Sequence, residues 1–273
     1  MLNKRIKRFV YEYSQNSRIK TKELGKKLRI SQQSASYLIQ SLKKKKKIIV
    51  DYTTVIDPSK LGFMSVLVYY NFSDFSSTQE VLQFLKQLKN VVSLEQLQQG
   101  YDLRIVYSVQ NLSYFNKINR DFLQKFRSKI FMAEIFPIVV KHLYPKNYLM
   151  RKQPDEYVIG GDRDVIILSD NEQKVLQYLY LNPTGKIVDM AKKLNLNPKT
   201  IIKIKNKLEK KKIIRSYSVV WNYQKLDISK RYILLNSEML TLKDDKRLLE
   251  FCYVHPYIVG LTRLIGRFDI LLE

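Results

Sequence analysis

The stretch TKELGKKLRISQQSASYLIQSLKKKKKII (residues 21–49) decides the fold, and IVDMAKKLNLNPKTIIKIKNKLEKKKII (residues 187–214) repeats its logic. In the first, Thr21 to Leu28 reads as a short helix and Arg29-Ile30-Ser31 as a three-residue turn. The residues after the turn read as a helix that buries Ala35, Leu38, Ile39 and Leu42 at helical spacing. In the second, Ile187 to Leu194 is followed by the turn Asn195-Leu196-Asn197 and by a helix that buries Ile201, Ile204 and Leu208. Ser31 and Asn197 stand where a side-chain oxygen can cap the third helix, and Pro198, first in that helix, loses nothing by lacking an N–H. An amphipathic helix precedes each stretch. Asn3 can cap one with Ile6, Phe9, Val10 and Tyr13 on its apolar face, and Ser169 with Glu172 forms a capping box ahead of Val175, Leu176 and Leu179. Two helices, a tight turn and a third amphipathic helix make a helix-turn-helix.

The repetition extends further. Sliding the chain by 166 residues lays Leu2 on Leu168, Asn16 on Asn182, Lys20 on Lys186, Leu28 on Leu194 and Leu42 on Leu208. After a one-residue slip, Ile48, Ile49, Tyr52 and Leu61 meet Ile213, Ile214, Tyr217 and Leu226. A β-rich stretch follows each third helix, Ile48 to Ile56 and Ile213 to Trp221, and reads as a wing. Beyond the first come a strand (Phe63 to Phe72), a helix (Thr78 to Leu88), two strands (Val91 to Leu97, Asp102 to Val109), a helix capped by Asn111 and a strand through Ile130 to Val140. That order, βαββαβ, is the ferredoxin-like sandwich. The second copy starts the same series with Tyr232 to Leu235, Asp244 to Tyr253, Ile258 to Leu264 and Phe268 to Leu272, then stops. The chain is therefore expected to be a fragment, since an open sheet edge is an aggregation liability. The expected class is α+β. A winged helix-turn-helix (1–60) and a ferredoxin-like sandwich (61–147) are joined by a linker (148–167), with strand character in Tyr157 to Ile159, to a second winged helix-turn-helix (168–229) and an incomplete sandwich (230–273).

Charge points to a partner. Lys and Arg number 49 against 25 Asp and Glu, a formal net charge of +24, which suits a polyanion. A bias in genomic base composition would spread that surplus evenly. Instead residues 1–60 carry 16 basic and 4 acidic side chains and residues 169–229 carry 13 and 5, so the two helix-turn-helix segments hold 20 of the 24 charges. No window offers the roughly eighteen apolar residues of a membrane span, and MLNKRIKRFV has no apolar signal core, so a soluble, cytoplasmic protein is expected. The single cysteine, Cys252, falls beside Leu248 and Leu249 and reads as a small buried side chain. With His142 and His255 the only histidines, neither a metal nor a cofactor is expected.

The ordered series resembles the leucine-responsive regulator (Lrp/AsnC) family. The residues that carry the likeness are Leu2-Asn3 opening the helices, Lys47-Ile48-Ile49 entering the wing, and the Gly100-Tyr101-Asp102 turn within βαββαβ. Leu168-Ser169, Ile213-Ile214 and Gly266-Arg267-Phe268-Asp269 echo them. The resemblance implies dimerisation through the sandwich and sensing of an amino acid or related small molecule, with Gly100, Tyr101, Asp102, Gly266 and Asp269 near the effector. On the residues alone, the Gly100 turn is equally a β-turn in which Gly supplies an unusual backbone angle and Asp bonds locally. The chain departs from the family in being tandem, and in placing Arg29 and Asn195 where a glycine is common. Asn tolerates a left-handed backbone more readily than Arg.

With the core face set aside, Gln32, Gln33, Ser36, Tyr37 and Gln40 point outward from one third helix. Lys199, Thr200, Ile202, Lys203 and Asn206 do so from the other, with Ser31 and Asn197 at the heads of the two helices. Gln can pair bidentately with adenine and Ser can bond several bases; the alternative is a merely solvated face. Lys43, Lys44 and Lys45, continuing to Lys47, end the first of these helices, and Lys210 to Lys212 end the second. Lysine there is favoured by the helix dipole and would be solvated in any case, but five consecutive lysines repel one another without an anion, which favours phosphate contact. The tyrosines and phenylalanines sit at strand and helix spacing and read as core rather than as a base-stacking platform. No P-loop, G-x-S-x-G, H-E-x-x-H or cysteine cluster is present. Siroheme decarboxylase subunits share this architecture and supply the alternative reading. Chemistry on an anionic tetrapyrrole should call for histidine and arginine in the sandwich, yet the charge sits in the helix-turn-helix segments. A protein-binding adaptor would not need that charge. The sequence therefore reads as a DNA-binding transcription regulator and not an enzyme. Its expected partners are double-stranded DNA and a small effector such as an amino acid, with self-association through the sandwiches.

Overall fold

A computed structural model describes residues 4–73, 78–150, 156–237 and 241–273; the expected cap Asn3 and its neighbour Leu2 lie outside them. The chain runs α1 (Lys4–Gln15), α2 (Thr21–Leu28), α3 (Gln32–Gln40), β1 (Ile49–Ile56), β2 (Met64–Phe72), α4 (Thr78–Gln87), β3 (Val91–Gln96), β4 (Leu103–Val109), α5 (Leu112–Lys125) and β5 (Ile130–Leu143). After β6 (Tyr157–Gly160) come α6 (Asp170–Leu181), α7 (Ile187–Leu194), α8 (Pro198–Lys210), β7 (Ile214–Trp221), β8 (Ile233–Leu235), α9 (Leu242–Val254), β9 (Gly260–Leu264) and β10 (Ile270–Leu272). The fold is α+β, and no described helix is long and apolar enough to cross a membrane.

Local geometry recurs along the chain. Arg29 ends α2 in the left-handed region (φ 57°, ψ 46°), and Asn195 ends α7 the same way (φ 52°, ψ 46°), so arginine adopts here the backbone for which asparagine is better suited. Ser31 caps α3 by accepting from Ser34 N at 3.0 Å, and Asn197 caps α8 by accepting from Lys199 N at 2.8 Å. The Ser169–Glu172 capping box opens α6. Lys47 (φ 50°) and Lys212 (φ 58°) then turn the chain into β1 and β7. One difference marks α3. Its end widens at Ser41–Lys45, where Lys46 N donates to Ser41 O, five residues back, at 2.9 Å.

The expected wings differ from a hairpin wing. Each is one strand, and β1 pairs antiparallel with β7, so each strand is completed by the other half of the chain. The helical cores are completed in the same way. Phe9, Val10, Leu24 and Leu42 pack with Val219, Trp221 and Leu226, while Val175, Met190, Ile201 and Leu208 pack with Ile56 and Leu61. Polar contacts lock the halves together: Arg18 donates to Pro183 O (2.7 Å) and Gly185 O (2.8 Å), and Thr54 Oγ1 donates to Leu179 O (2.6 Å).

The larger sheet has the order β3-β4-β2-β5-β9-β10-β8, with β6 alongside β5. Along β2 the side chains alternate. Val66, Val68, Tyr70 and Phe72 face α4 and α5, whereas Leu67 and Tyr69 face Phe136, Leu264 and Leu271. The first half has the strand order of a βαββαβ unit, and β5 joins it to β9 from Ile138↔Leu264 to Leu143↔Gly260, so the two halves meet within one chain. Cys252, Leu261 and Ile270 form a smaller core under α9. Segment 148–167, expected as a linker, supplies Leu149 to the first helical core and the strand β6, which pairs with Val140 to Leu143.

Candidate nucleic-acid interface

Burial sets the outward face of each third helix. Ala35 and Leu42 hold α3 to its core, leaving Gln32, Gln33, Gln40 and Tyr37 (62% exposed) in solvent and Ser36 half-buried. Ile201, Ile204 and Leu208 hold α8, leaving Lys199, Thr200, Ile202, Lys203 and Asn206 exposed. Ser31 and Asn197 remain exposed, but each has a side-chain oxygen engaged in capping.

The lysines divide into two groups. Lys27 pairs with Glu12 (3.1 Å), Lys205 with Glu209 (2.6 Å) and Lys207 with Glu172, so these carboxylates are neutralised inside the helical units. The Glu172 carboxyl is accordingly lowered, chiefly by its hydrogen bond from Lys207. Lys43 to Lys47, Lys199, Lys203 and Lys210 to Lys212 are exposed. Among the described residues no carboxylate pairs with them. Lys43 lies over the Tyr52 ring of β1 at 4.7 Å and Lys45 over the Tyr37 ring of α3 at 5.7 Å.

The strand pair fixes how the two helical units relate. In β1–β7, Thr53 faces Ser218, and these are equivalent positions at the offset of 165. Ile49 faces Trp221 while Ile56 faces Ile214, and Tyr52 faces Val219 while Thr54 faces Tyr217, so the pairing maps onto itself when the halves are exchanged. A local twofold therefore passes between Thr53 and Ser218 and relates the two strands that follow α3 and α8.

The Gly100 and Gly266 turns come together around β5. Gly100 is left-handed (φ 80°), and Tyr101 stacks on Tyr69 at 4.6 Å, which in turn meets Phe136 edge-on at 6.2 Å. Burial, then Glu134, raises the Tyr101 phenol to about 12. A Cβ on Gly266 (φ 145°) would sit 3.0 Å from the Phe136 ring, and Arg267 donates to Glu134 at 3.3 Å. Asp102 Oδ2 accepts from Phe72 N and Asp269 Oδ1 from Ser237 N, both at 2.8 Å, so each carboxylate ties a strand end.

A third feature was not anticipated. On the sheet face away from α4 and α5, Arg104 donates to Glu95 at 3.3 Å, lies over the Tyr232 ring at 4.5 Å and approaches Glu273 at 3.9 Å. Lys141 binds Glu273, and Lys230 reaches Glu95 (3.3 Å) and Glu273 (3.7 Å). Burial would raise the Glu273 carboxyl, but Lys141, Lys230 and Arg104 hold it well below the usual carboxylate range. The cluster borders two cavities, of 1140 Å³ and 460 Å³, which share Lys230 and Glu273. Burial lowers Lys146, in the smaller one, to about 8. The signal in the sequence was one arginine among the apolar residues of LRIVYSV (103–109).

No protein-family model matches the chain, and no curated protein matches its sequence. Solved structures do resemble it. The siroheme decarboxylase NirDL superposes on 99% of this chain and 81% of its own, with a TM-score of 0.59 and 13% identity. PH0061 matches 50% of this chain and 93% of its own (TM-score 0.45, 24% identity), and E. coli AsnC matches 50% and 91% (TM-score 0.41, 15% identity). The likeness to NirDL over almost the whole length is a likeness of fold.

Proposed function

We propose that the chain is a sequence-specific DNA-binding transcription regulator of Lrp/AsnC type, built as two tandem units of a winged helix-turn-helix and a sandwich, 1–147 and 168–273. The observation that carries this is the local twofold between Thr53 and Ser218, which relates two strands that each follow an exposed, lysine-ended third helix. DNA-binding dimers that read two half-sites use such symmetry, and here one chain supplies both halves. In this reading Gln32, Gln33, Ser36, Tyr37, Gln40, Lys199, Thr200, Lys203 and Asn206 face the bases, while Lys43 to Lys45 and Lys210 meet phosphates. Ser31 and Asn197 set the heads of the two helices. A small effector such as an amino acid would act at the Gly100–Asp102 and Gly266–Asp269 turns, and further self-association would use the sandwiches.

A second reading, an enzyme acting on a siroheme-like tetrapyrrole, is favoured by the likeness to NirDL and by the 1140 Å³ cavity. Against it, the cluster of Arg104, Lys141 and Lys230 carries only one positive charge beyond those of Glu95 and Glu273, short of what the several carboxylates of such a tetrapyrrole need. His142 is held by Glu156, and neither it nor His255 lines the cavity. One experiment separates the readings: a mobility shift on duplex DNA beside absorbance titration with iron-uroporphyrin III. Retarded duplex with no change in the Soret band supports the regulator. Tetrapyrrole binding without retardation overturns it.

A further inference from the structure

We infer that the larger cavity is a binding site for a small apolar carboxylic acid, its carboxylate on Arg104 and Thr262 and its hydrocarbon body against the valines and isoleucines beside them. No residue of the Gly100–Asp102 or Gly266–Asp269 turns lines it. Arg104 and Thr262 both line the cavity and are only 4% and 1% exposed. Thr262 Oγ1 is nevertheless a buried polar atom with no hydrogen-bond partner among the described residues, and Arg104 Nε makes no hydrogen bond of its own, the Tyr69 hydroxyl, its neighbour across β2–β4, being the one polar group set against the guanidinium on that side. Buried donors are costly to leave unmade, and an oxygen entering from the cavity satisfies both. Thr262 faces Lys141 across β5–β9, and Lys141 and Arg104 both reach Glu273, so the two open positions belong to one cluster.

Charge selects the ligand class. Arg104, Lys141 and Lys230 face Glu95 and Glu273, leaving one positive charge in excess in the buried cluster; Lys89, Asp162 and Arg163, which also line the cavity, are exposed to solvent. A monoanion cancels it. An inorganic phosphate dianion overshoots, and the ammonium of an amino acid restores the excess, since both carboxylates are already taken. The walls choose the body: Val106 and Ile138 present hydrocarbon to the same space, and the more exposed Val92, Val139 and Val165 extend that surface toward solvent, as a pocket for an apolar ligand with one oriented polar end requires. Thr53 to Ile56 of β1 and Leu176, Gln177 and Tyr180 of α6 also line it, so an occupant touches the strand pair and a helix of the second helical unit. Coupling to DNA rests on the regulator reading; occupancy of the cavity does not. Where coupling exists it is reciprocal, DNA changing acid affinity by the factor by which acid changes DNA affinity.

The test is calorimetric titration of the full chain with phenylacetate, 4-methylpentanoate, their neutral amides, L-phenylalanine and inorganic phosphate. At least one acid should bind with Kd below about 1 mM. Its amide and L-phenylalanine should bind at least about tenfold more weakly, without the charge-assisted bond or the charge balance. Phosphate should not compete. Arg104→Lys, which keeps the charge and removes Nε, should abolish binding. The near-isosteric Thr262→Val, which tests the site even if the buried arginine cannot be replaced, should weaken it about fivefold or more. Binding by neither acid, equal binding of acid and amide, or an undiminished Thr262→Val overturns the site. A mobility shift on the same preparations keeps the two ideas apart: acid binding without DNA binding sinks the regulator alone, and DNA binding without acid binding sinks the cavity ligand alone.

Discussion

Trp221 Nε1 donates a 2.9 Å hydrogen bond to Ser14 Oγ, tying a strand of the second half to the first helix of the chain. Its ring meets Phe9 edge-on at 6.2 Å and is only 4% exposed. The first helical unit therefore cannot complete its core from its own segment, and removing residues beyond 161 would strip Val219, Trp221 and Leu226 from it. Deletion is consequently a poor probe of what the second half contributes to DNA binding.

Trp221→Ala should cost about 3–5 kcal/mol, the range for emptying a large buried aromatic site, and should destabilise both helical units together. Urea unfolding followed by helicity and by tyrosine fluorescence tests this. Two separate transitions, or a cost below about 1 kcal/mol, would show that the units fold independently.

The helices and their caps were legible because periodicity and capping are local. Thr21–Leu28 and Ile187–Leu194 match the expected spans, and Ser31, Asn111, Asn197 and the Ser169–Glu172 box cap as expected. Partnership between strands was not legible. The β-rich composition of Ile49–Ile56 marks a strand but does not say that Trp221 and Val219 pair with it, since a strand's partner lies outside its own sequence. The ion cluster failed for the same reason: Arg104 is an evident oddity, but Lys230 and Glu273 are more than a hundred residues away.

Replacing Lys43 to Lys47 with Gln should weaken binding to all DNA sequences about equally. It should also flatten the fall of log affinity with log salt, by roughly 0.9 for each phosphate no longer neutralised. Affinities at several salt concentrations on a preferred and a random duplex supply the measurement. A loss confined to one base position would assign these lysines to base reading.

Gln33→Ala or Gln40→Ala should relax preference at one base pair, costing on the order of 1–3 kcal/mol on the preferred site and little on random DNA. Competition binding against single-base variants of the site reads this out. Equal loss on both kinds of DNA would make these glutamines positioning contacts.

Lys146 links protonation to folding. Its folded value, about 8, lies below that of a free lysine, so between about 8 and 10.5 the unfolded chain binds the extra proton. The Lys146 contribution should therefore become more favourable as pH rises through that window, and below it the folded state carries a charge that burial disfavours. Lys146→Met should remove this pH dependence and stabilise the chain near pH 7 by an amount on the order of 2 kcal/mol. Denaturant melts of both proteins at pH 7, 8.5 and 10 test the sign. A Lys146→Met protein that is less stable at pH 7 would show that the ammonium is favoured where it lies.

The local twofold predicts the shape of the DNA site. Because Thr53 and Ser218 face each other in one rigid strand pair, α3 and α8 should meet two successive major grooves on one face of the duplex, with half-site centres about 34–36 Å apart. The symmetry is one of backbone only. Gln32, Gln33 and Gln40 lie on one helix and Lys199, Thr200 and Ile202 on the other, so the halves present different groups and the preferred site should be bipartite but not palindromic. Lys199→Ala with Lys203→Ala leaves the buried face of α8 intact, since both are exposed, and should weaken protection over one half-site only. Gln32→Ala with Gln33→Ala should affect the other. Footprinting of the full chain on a site selected from random duplex shows which holds. Loss of both half-sites together from either pair of substitutions, or protection of a single turn that the α8 substitutions leave unchanged, would mean that the second helix does not read DNA.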